Sequence, residues 1–287
     1  MKQLNWIFKT SRPRFWTYLA GPWAVGMVTA SSSLNDFRNL LFWVGLLFFL
    51  WPANFFLYGI NDYADGDTDK FNPKKQEYEN LYKTNQNKVL WYLLGAFAIL
   101  SIVFVYLFPT IESQLVFGLW VLCSAFYSLR PIRFKARLFV DSCSNILYIL
   151  PGVMVFLMYQ PIAKLSWPLV ISAWLWSMGM HLFSALPDIE ADRNADVKTT
   201  AVWLGFKRAT LLTIVYYTTA AFIFALNTNI WLGLLAFISY SVPTLYIYFT
   251  KNPKRVFSLY KKFPFINLFS GAVLFIYVVF KHNLLIF

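Results

Sequence analysis

The feature that most constrains this chain is a series of long apolar stretches. A helix needs about 20 mostly apolar residues to cross a hydrocarbon core of ~30 Å. Charged residues make up only 13% of the chain, about half of the roughly 25% that is usual in soluble proteins. We therefore predict an all-α, polytopic membrane protein with nine transmembrane helices. The predicted spans are 15–34, 39–59, 88–108, 113–129, 138–159, 166–186, 209–226, 230–250 and 264–286.

The basic residues fall mainly on one side of these nine spans. Of the 25 Lys and Arg residues, 22 lie at the N-terminus or in every second loop, and the others are Arg38, Lys164 and Lys281. Because cytoplasmic loops carry the excess of positive charge, we predict a cytosolic N-terminus and an external C-terminus. A net charge of +12 would otherwise suggest nucleic-acid binding, but that requires a basic face on one module. The predicted surroundings are membrane lipids, with no nucleic-acid partner.

Eight of the 13 acidic residues form two short clusters, each at the predicted cytosolic end of an even-numbered span. The residues that recur at four-residue spacing are Asn61, Asp65 and Asp69, with Asp62 beside the first, and then Asp188, Asp192 and Asp196. On a helix this spacing places each set along one face. Two carboxylates about 4 Å apart repel by about 4 kcal/mol at an effective dielectric constant near 20. A cation between them is expected, and Mg²⁺ suits such a site because it bridges carboxylates to substrate phosphates.

The two acidic clusters are also compatible with roles that need no enzyme. The acids could cap helices in solvated loops, or they could belong to a transporter. Transporter sites lie near the bilayer midplane on broken helices, whereas these acids lie at helix ends, which favours an enzyme with its active site toward the cytosol. The clusters are four spans apart, which suggests two similar four-helix halves plus a ninth helix around a central cavity, all within one domain covering 1–287.

The two acidic strings, with Lys198, Thr199 and Thr200 after the second, resemble the UbiA superfamily of intramembrane prenyltransferases. The resemblance covers nearly the whole chain. It implies Mg²⁺-dependent transfer of an isoprenyl group from an allylic diphosphate to a hydrophobic acceptor taken from the bilayer. The catalytic residues that it implies are Asp65, Asp192 and Lys198. The metal ligands that it implies are Asn61, Asp62, Asp65, Asp69, Asp188, Asp192 and Asp196.

Three further segments are most similar to the lycopene elongase branch, whose members prenylate the ends of a carotenoid. They are the segments 11–16, 70–75 and 181–188. Members that act on aromatic or quinone precursors often carry Arg-Thr-x-x-Arg-Pro after the first motif, where this chain has Lys-Phe-Asn-Pro-Lys-Lys. The resemblance therefore implies a carotenoid acceptor such as lycopene, with an aromatic precursor or another lipid as the alternative.

Candidates for binding the substrate lie beside the motifs. Asn61 is implied for the diphosphate as well as for the metal. Arg130 and Lys135 belong to a basic segment that matches the family, and this segment either contacts phosphate or marks a cytosolic loop. The ring face of Tyr58 could stabilise a carbocation.

Polar residues inside the predicted spans are further candidates, because such groups are costly in a membrane. His181 and Asn54 each lie seven residues before an acidic motif, and Asp141 and Asn145 lie one helical turn apart. Each could contact the substrate or remove its proton. Each could equally make a hydrogen bond that packs helices together.

Overall fold

The computed structural model describes residues 2–65 and 86–281, and every regular element in this part of the chain is helical. The prediction of an all-α protein is confirmed. The helices of six residues or more are Lys2–Thr10, Trp16–Ala30, Leu40–Leu50, Pro52–Ala64, Asn87–Leu107, Ile111–Ser128, Leu150–Tyr159, Trp167–Ala185, Ile189–Asn194, Thr200–Asn227, Ile230–Ala236, Val242–Thr250 and Pro253–Lys281.

Seven helical stretches within the described ranges are long and apolar enough to cross a membrane. They are Leu40–Ala64, Asn87–Leu107, Ile111–Ser128, Trp167–Asn194, Thr200–Asn227, Ile230–Thr250 and Arg255–Lys281. The pair Val140–Tyr148 and Leu150–Tyr159 makes an eighth if it counts as one broken span. Predicted span 15–34 corresponds to Trp16–Ala30, which has 15 residues and covers about 22 Å, less than a ~30 Å hydrocarbon core. The count of nine spans stays a prediction.

The second predicted span contains a break at Trp51, where one helix ends and the next begins at Pro52. Proline has no N–H, so it leaves a carbonyl of the preceding turn without its usual donor. The fully buried side chain of Asn54 donates to the carbonyls of Phe49 and Leu50 at 2.8 and 3.1 Å. Since lipid offers no hydrogen bonds to exposed backbone, this amide allows the break to exist inside a span.

The described chain forms two compact units, of which the first comprises Met1–Arg133, Leu150–Leu165 and Phe275–Phe287. Its core is a group of packed aromatic rings, with centroids as close as 4.0 Å for Phe56 and Phe97. The group consists of Trp23, Phe48, Phe49, Phe56, Phe97, Phe104, Phe108, Phe117 and Trp120. Offset and edge-to-face ring contacts add to the dispersion that packs helices in a membrane.

Two helices of this unit, Trp16–Ala30 and Leu150–Tyr159, approach each other through glycines. A Cβ atom added to Gly26 would lie 2.3 Å from the carbonyl oxygen of Gly152. Small residues at such a crossing let two backbones come into van der Waals contact. Only glycine therefore fits at position 26.

The second unit comprises Phe134–Ile149 and Ser166–Leu274. Its central pair of helices is Trp167–Ala185 and Thr200–Asn227, joined where the Ser172 hydroxyl donates to the carbonyl of Ala220 at 2.8 Å. Gly205 has a φ of 69° and bends the second of these helices near its start, in a conformation that glycine adopts without steric penalty.

We expect Gly26→Ala to lower the free energy of unfolding of the purified protein by about 1–3 kcal/mol, because the added methyl group overlaps the facing backbone. Gly21→Ala, in the same helix, is the matched control, since nothing lies within 4 Å of its added Cβ. Thermal unfolding in detergent measures both variants. Equal melting temperatures for the two would contradict the close approach.

Candidate active site

The first acidic motif lies at the end of the helix Pro52–Ala64. Asn61 and Asp62 occupy its last turn, and Asp65 follows it directly. Asp62 and Asp65 are only 3% and 6% exposed, although carboxylates are seldom buried without a partner. Asp69, the fourth residue of the predicted set, lies outside the described residues.

Each of these two carboxylates accepts a hydrogen bond from its own arginine. Arg12 Nη2 lies 2.8 Å from Asp62 Oδ1, and Arg133 Nη2 lies 3.0 Å from Asp65 Oδ1. Arg12 also donates to Asn61 Oδ1 at 3.4 Å. A buried carboxylate is strongly destabilising unless such a pairing compensates for the loss of water. The two arginines therefore place positive charge directly beside the acidic motif.

The position of Arg12 is fixed from several directions. Its guanidinium lies over the ring of Tyr58, 4.4 Å from the centroid. Its backbone has a φ of 49°, a left-handed conformation that is uncommon outside glycine. Trp16 Nε1 donates to both the carbonyl and the hydroxyl of Ser11 at 3.1 Å, which holds the turn that contains Arg12.

Arg133 belongs to the same unit and has a comparable setting. Its φ is 43°, and its N–H donates to the carbonyl of Leu129 at 2.8 Å. Close by in sequence, the buried hydroxyl of Ser128 accepts from the amide of Asn61 at 3.0 Å. The last residue of the helix Ile111–Ser128 thus contacts Asn61, and the chain that follows this helix contacts Asp65.

The second acidic motif belongs to the second unit. Asp188 closes a short 3₁₀ turn, and Asp192 lies in the helix Ile189–Asn194. Both side chains are half-buried, whereas Asp196 and Lys198 are exposed. Asp196 has a φ of 52°, and the next N–H, that of Val197, donates to the carbonyl of Asp192 at 2.9 Å. The turn after this helix is therefore closed by its own backbone.

Asp141 is the most deeply buried carboxylate among the described residues, with no exposed surface. Its Oδ2 accepts from the Thr200 N–H at 2.7 Å, and its Oδ1 accepts from the Thr200 hydroxyl at 2.6 Å. Asn145 donates to the Asp141 carbonyl at 2.7 Å, and His181 Nε2 lies 3.8 Å from Asp141 Oδ2. The structure thus brings three of the predicted polar residues together.

The remaining candidates have different surroundings. Tyr58 lies against Arg12, and Asn54 satisfies the carbonyls at the helix break. Arg130 is exposed, and Lys135 is half-buried. A role for any of these residues in binding the substrate stays a prediction.

No site role was predicted for Arg12, Arg133 or Thr200, although Thr200 follows the second acidic string and Arg12 lies in segment 11–16. Arg12 and Arg133 lie 50 and 68 residues from the aspartates they pair with. A buried carboxylate requires a partner that replaces its lost hydration. Arg12 and Arg133 are basic residues close in sequence to the ends of predicted spans, so they were candidates for that partner. That signal could have identified both.

The donor set of the first motif suits a magnesium ion. It consists of oxygen atoms only, with Asp62 and Asp65 as charged members, and Mg²⁺ in proteins is commonly held by one or two carboxylates together with substrate phosphates. Within 2–65 and 86–281, no three His, Cys, Asp or Glu side chains form a group that could hold a metal by themselves. Such a site would therefore be completed by other oxygen atoms, such as the Asn61 amide oxygen, water or a substrate phosphate.

The long apolar helices and the buried acids at a helix end describe an integral membrane protein with a polar site at the end of its spans. The chain belongs to the UbiA prenyltransferase family, whose model matches residues 16–279. The protein is thus a prenyltransferase, which confirms the family prediction and decides against a transporter.

Individual relatives agree with this family. The chain is 39% identical over 221 residues to a lycopene elongase/hydratase of Haloarcula japonica, covering 77% of this chain and 74% of that protein. It is 37% identical over 272 residues to a lycopene elongase/hydratase of Halobacterium salinarum, covering 94% and 95%. The predicted resemblance to the lycopene elongase branch is confirmed.

A solved structure has the same fold. It is a UbiA homolog from Archaeoglobus fulgidus bound to GPP and Mg²⁺, with a TM-score of 0.65 and 20% identity, and the match covers 96% of this chain and 99% of that one.

The pairing of Arg12 with Asp62 predicts a measurable coupling. Arg12→Gln and Asp62→Asn should each destabilise the protein, and the double variant should show a coupling energy of about 1–3 kcal/mol, because a buried charged hydrogen bond is lost only once. Thermal unfolding in detergent, without Mg²⁺ or diphosphate, provides the measurement.

A second double-mutant cycle, with Arg38→Gln in place of Arg12→Gln, is the control. Arg38 belongs to the same unit and lies away from the motif in sequence. The effect of Arg38→Gln should add to that of Asp62→Asn within about 0.5 kcal/mol. Equal coupling in the two cycles would argue against a specific Arg12–Asp62 pair.

Proposed function

We propose that this prenyltransferase transfers an isoprenyl group from an allylic diphosphate to a carotenoid such as lycopene. The observation that carries the proposal is the pair of buried carboxylates, Asp62 and Asp65, at the end of an apolar helix in a chain of this family. The names of the relatives, lycopene elongase/hydratase, support the choice of acceptor.

The proposed architecture is a single domain with nine spans, arranged as two four-helix halves and a ninth helix around a central cavity. The N-terminus is cytosolic, the C-terminus is external, and the active site opens toward the cytosol. The predicted loops rich in Lys and Arg support this orientation.

We propose that the diphosphate and Mg²⁺ are held by both acidic motifs. The ligands are the oxygen atoms of Asn61, Asp62, Asp65, Asp69, Asp188, Asp192 and Asp196. Bound Mg²⁺ supplies Lewis-acid stabilisation of the charge on the departing diphosphate. The Archaeoglobus fulgidus homolog is bound to GPP and Mg²⁺, which supports this assignment.

The arginines add a second source of positive charge. Because Arg12 and Arg133 already contact Asp62 and Asp65, they lie beside whatever these carboxylates hold. Their guanidinium groups can donate to diphosphate oxygens, which are strong charge-assisted acceptors. Lys198, on the exposed turn after the second motif, is proposed to donate to the same group.

The reaction follows from these contacts. The allylic C–O bond breaks, and its electron pair stays on the diphosphate oxygen, where the Lys and Arg donors stabilise it. A π-bond of the acceptor then attacks the allylic carbocation and forms the new C–C bond. The positive charge that results on the acceptor is removed by loss of a proton, either directly or after water has added to the cation. The word hydratase in the relatives' names supports water as one outcome.

Asp65→Ala and Asp192→Ala should each lower Mg²⁺-dependent prenyl transfer by more than about a hundredfold, because each removes charge that organises the leaving group. Radiolabelled donor and membranes that contain equal amounts of protein would measure this. Glu112→Ala, which removes an exposed acid in the first turn of its helix, should leave transfer unchanged. Full activity in either aspartate variant would refute the proposed diphosphate site.

Expression in a lycopene-producing host tests the acceptor. We expect new carotenoids extended by isoprenyl units, detected by liquid chromatography and mass spectrometry. They should be absent from a host that expresses the Asp65→Ala variant. Unchanged carotenoids together with altered quinones would instead identify an aromatic acceptor.

A further inference from the structure

The second unit contains a buried carboxylate that is bound mainly by one threonine. Asp141 lies in the short helix Val140–Cys143 and has no exposed surface. Thr200 offers it two donors, the backbone N–H at 2.7 Å and the hydroxyl at 2.6 Å. Ser142 N–H adds a third at 2.7 Å. A carboxylate withdrawn from water is stable only when its oxygens are satisfied in this way.

Thr200 is the first residue of the helix Thr200–Asn227, where backbone N–H groups have no partner within the helix. The carboxylate of Asp141 satisfies one of these groups and places negative charge at the positive end of the helix dipole. The preceding Thr199 caps the same end, since its side chain accepts from the Val202 N–H at 3.2 Å. The start of this helix is therefore fixed by two side chains.

The chain on the other side of this contact is held in a strained conformation. Phe139 has a φ of 62°, which is a genuine outlier for a bulky residue, and its N–H donates to the Thr200 hydroxyl at 2.7 Å. Its ring packs against Trp203, with centroids 5.7 Å apart. Strain of this kind persists where the surroundings over-determine it, and it is often found near functional sites.

The segment fixed in this way is the turn that carries Asp196 and Lys198. At one end, Val197 N–H is bound to the carbonyl of Asp192 at 2.9 Å. At the other end, Thr200 is bound to Asp141, only two residues after Lys198. Lys198 itself is exposed, so its own packing does not set its position. The backbone on either side of it, at Val197 and Thr200, is held by the hydrogen bonds just described.

We infer that Asp141 is a positioning residue that fixes the Asp196–Lys198 turn for the diphosphate, through its two hydrogen bonds to Thr200. Asp141 has no exposed atom with which to touch a substrate, so its influence passes through its neighbours, Thr200 with two hydrogen bonds and His181 at 3.8 Å. Thr200→Val keeps the Asp141 carboxylate beside His181 and therefore isolates the route through Thr200. The inference rests on the proposed function, in which Lys198 contacts the diphosphate.

Thr200→Val and Asp141→Asn test this role in the full-length protein in detergent. Each should lower kcat/KM for the isoprenyl diphosphate by about tenfold or more, the effect of losing a charge-assisted hydrogen bond. The KM for the acceptor should stay unchanged, because the turn is proposed to contact the diphosphate and not the acceptor. Thr200→Ser keeps both donors and should restore most of the activity.

Thr210→Val is the matched control for loss of a buried threonine hydroxyl. Thr210 lies in the same helix, is equally buried and donates to the carbonyl of Phe206 at 2.7 Å. A general loss of helix stability would affect Thr200→Val and Thr210→Val alike. We expect only Thr200→Val to change kcat/KM for the diphosphate.

The double variant Asp141→Asn with Lys198→Ala tests whether Asp141 acts through Lys198, separately from the proposed function. If the turn acts through Lys198, adding Asp141→Asn to Lys198→Ala should lower kcat/KM by less than about threefold, a non-additive result. Wild-type kinetics in Thr200→Val and Asp141→Asn, with Asp192→Ala inactive, would overturn the positioning role and leave the proposed function standing. Full activity in Asp192→Ala would overturn both.

Discussion

The described structure depends on the burial of carboxylates at the ends of apolar helices. An acid that leaves water near a membrane requires a partner whose charge or hydrogen bonds replace the lost hydration. Asp62 and Asp65 have arginines, and Asp141 has the N-terminus of a helix. These partners come from segments distant in sequence, so burial of each acid ties its own compact unit together.

Unusual backbone conformations occur beside these acids. Among the described residues, five non-glycine residues have positive φ angles. Arg12 and Arg133 lie beside the first acidic motif, and Phe139 and Asp196 lie beside the Thr200 contact and in the second motif. Left-handed conformations of such residues cost of order 1–3 kcal/mol each. For Arg12 and Arg133 the buried ion pairs offset this strain, and for Phe139 the Thr200 contact does so. Substitution of an acid should therefore relax the backbone that presents its partner.

Much of the fold was predictable because its signals are local. The apolar stretches predicted a membrane protein made of helices, and the acidic spacing together with Lys198 identified the family before any geometry was known. The break at Trp51 and the partners of the acids were harder to predict. Pro52 indicated a break, but only the structure shows that Asn54 supplies the missing donors. Arg12 lies 50 residues from Asp62, and pairing over such a distance leaves no periodic trace in a sequence.

The pairing of Arg12 with Asp62 has a consequence for how a metal and a diphosphate could enter the first motif. A carboxylate that binds a divalent cation no longer needs an arginine, because the cation neutralises it more completely. Under the proposed function, a cation at Asp62 would therefore leave the donors of Arg12, which lies over Tyr58, available to the diphosphate. Binding of the cation and binding of the diphosphate would favour each other, because the positive charge of one offsets the negative charge of the other. Under the proposed function, one arginine thus both stabilises the buried Asp62 carboxylate and assists the binding of a diphosphate.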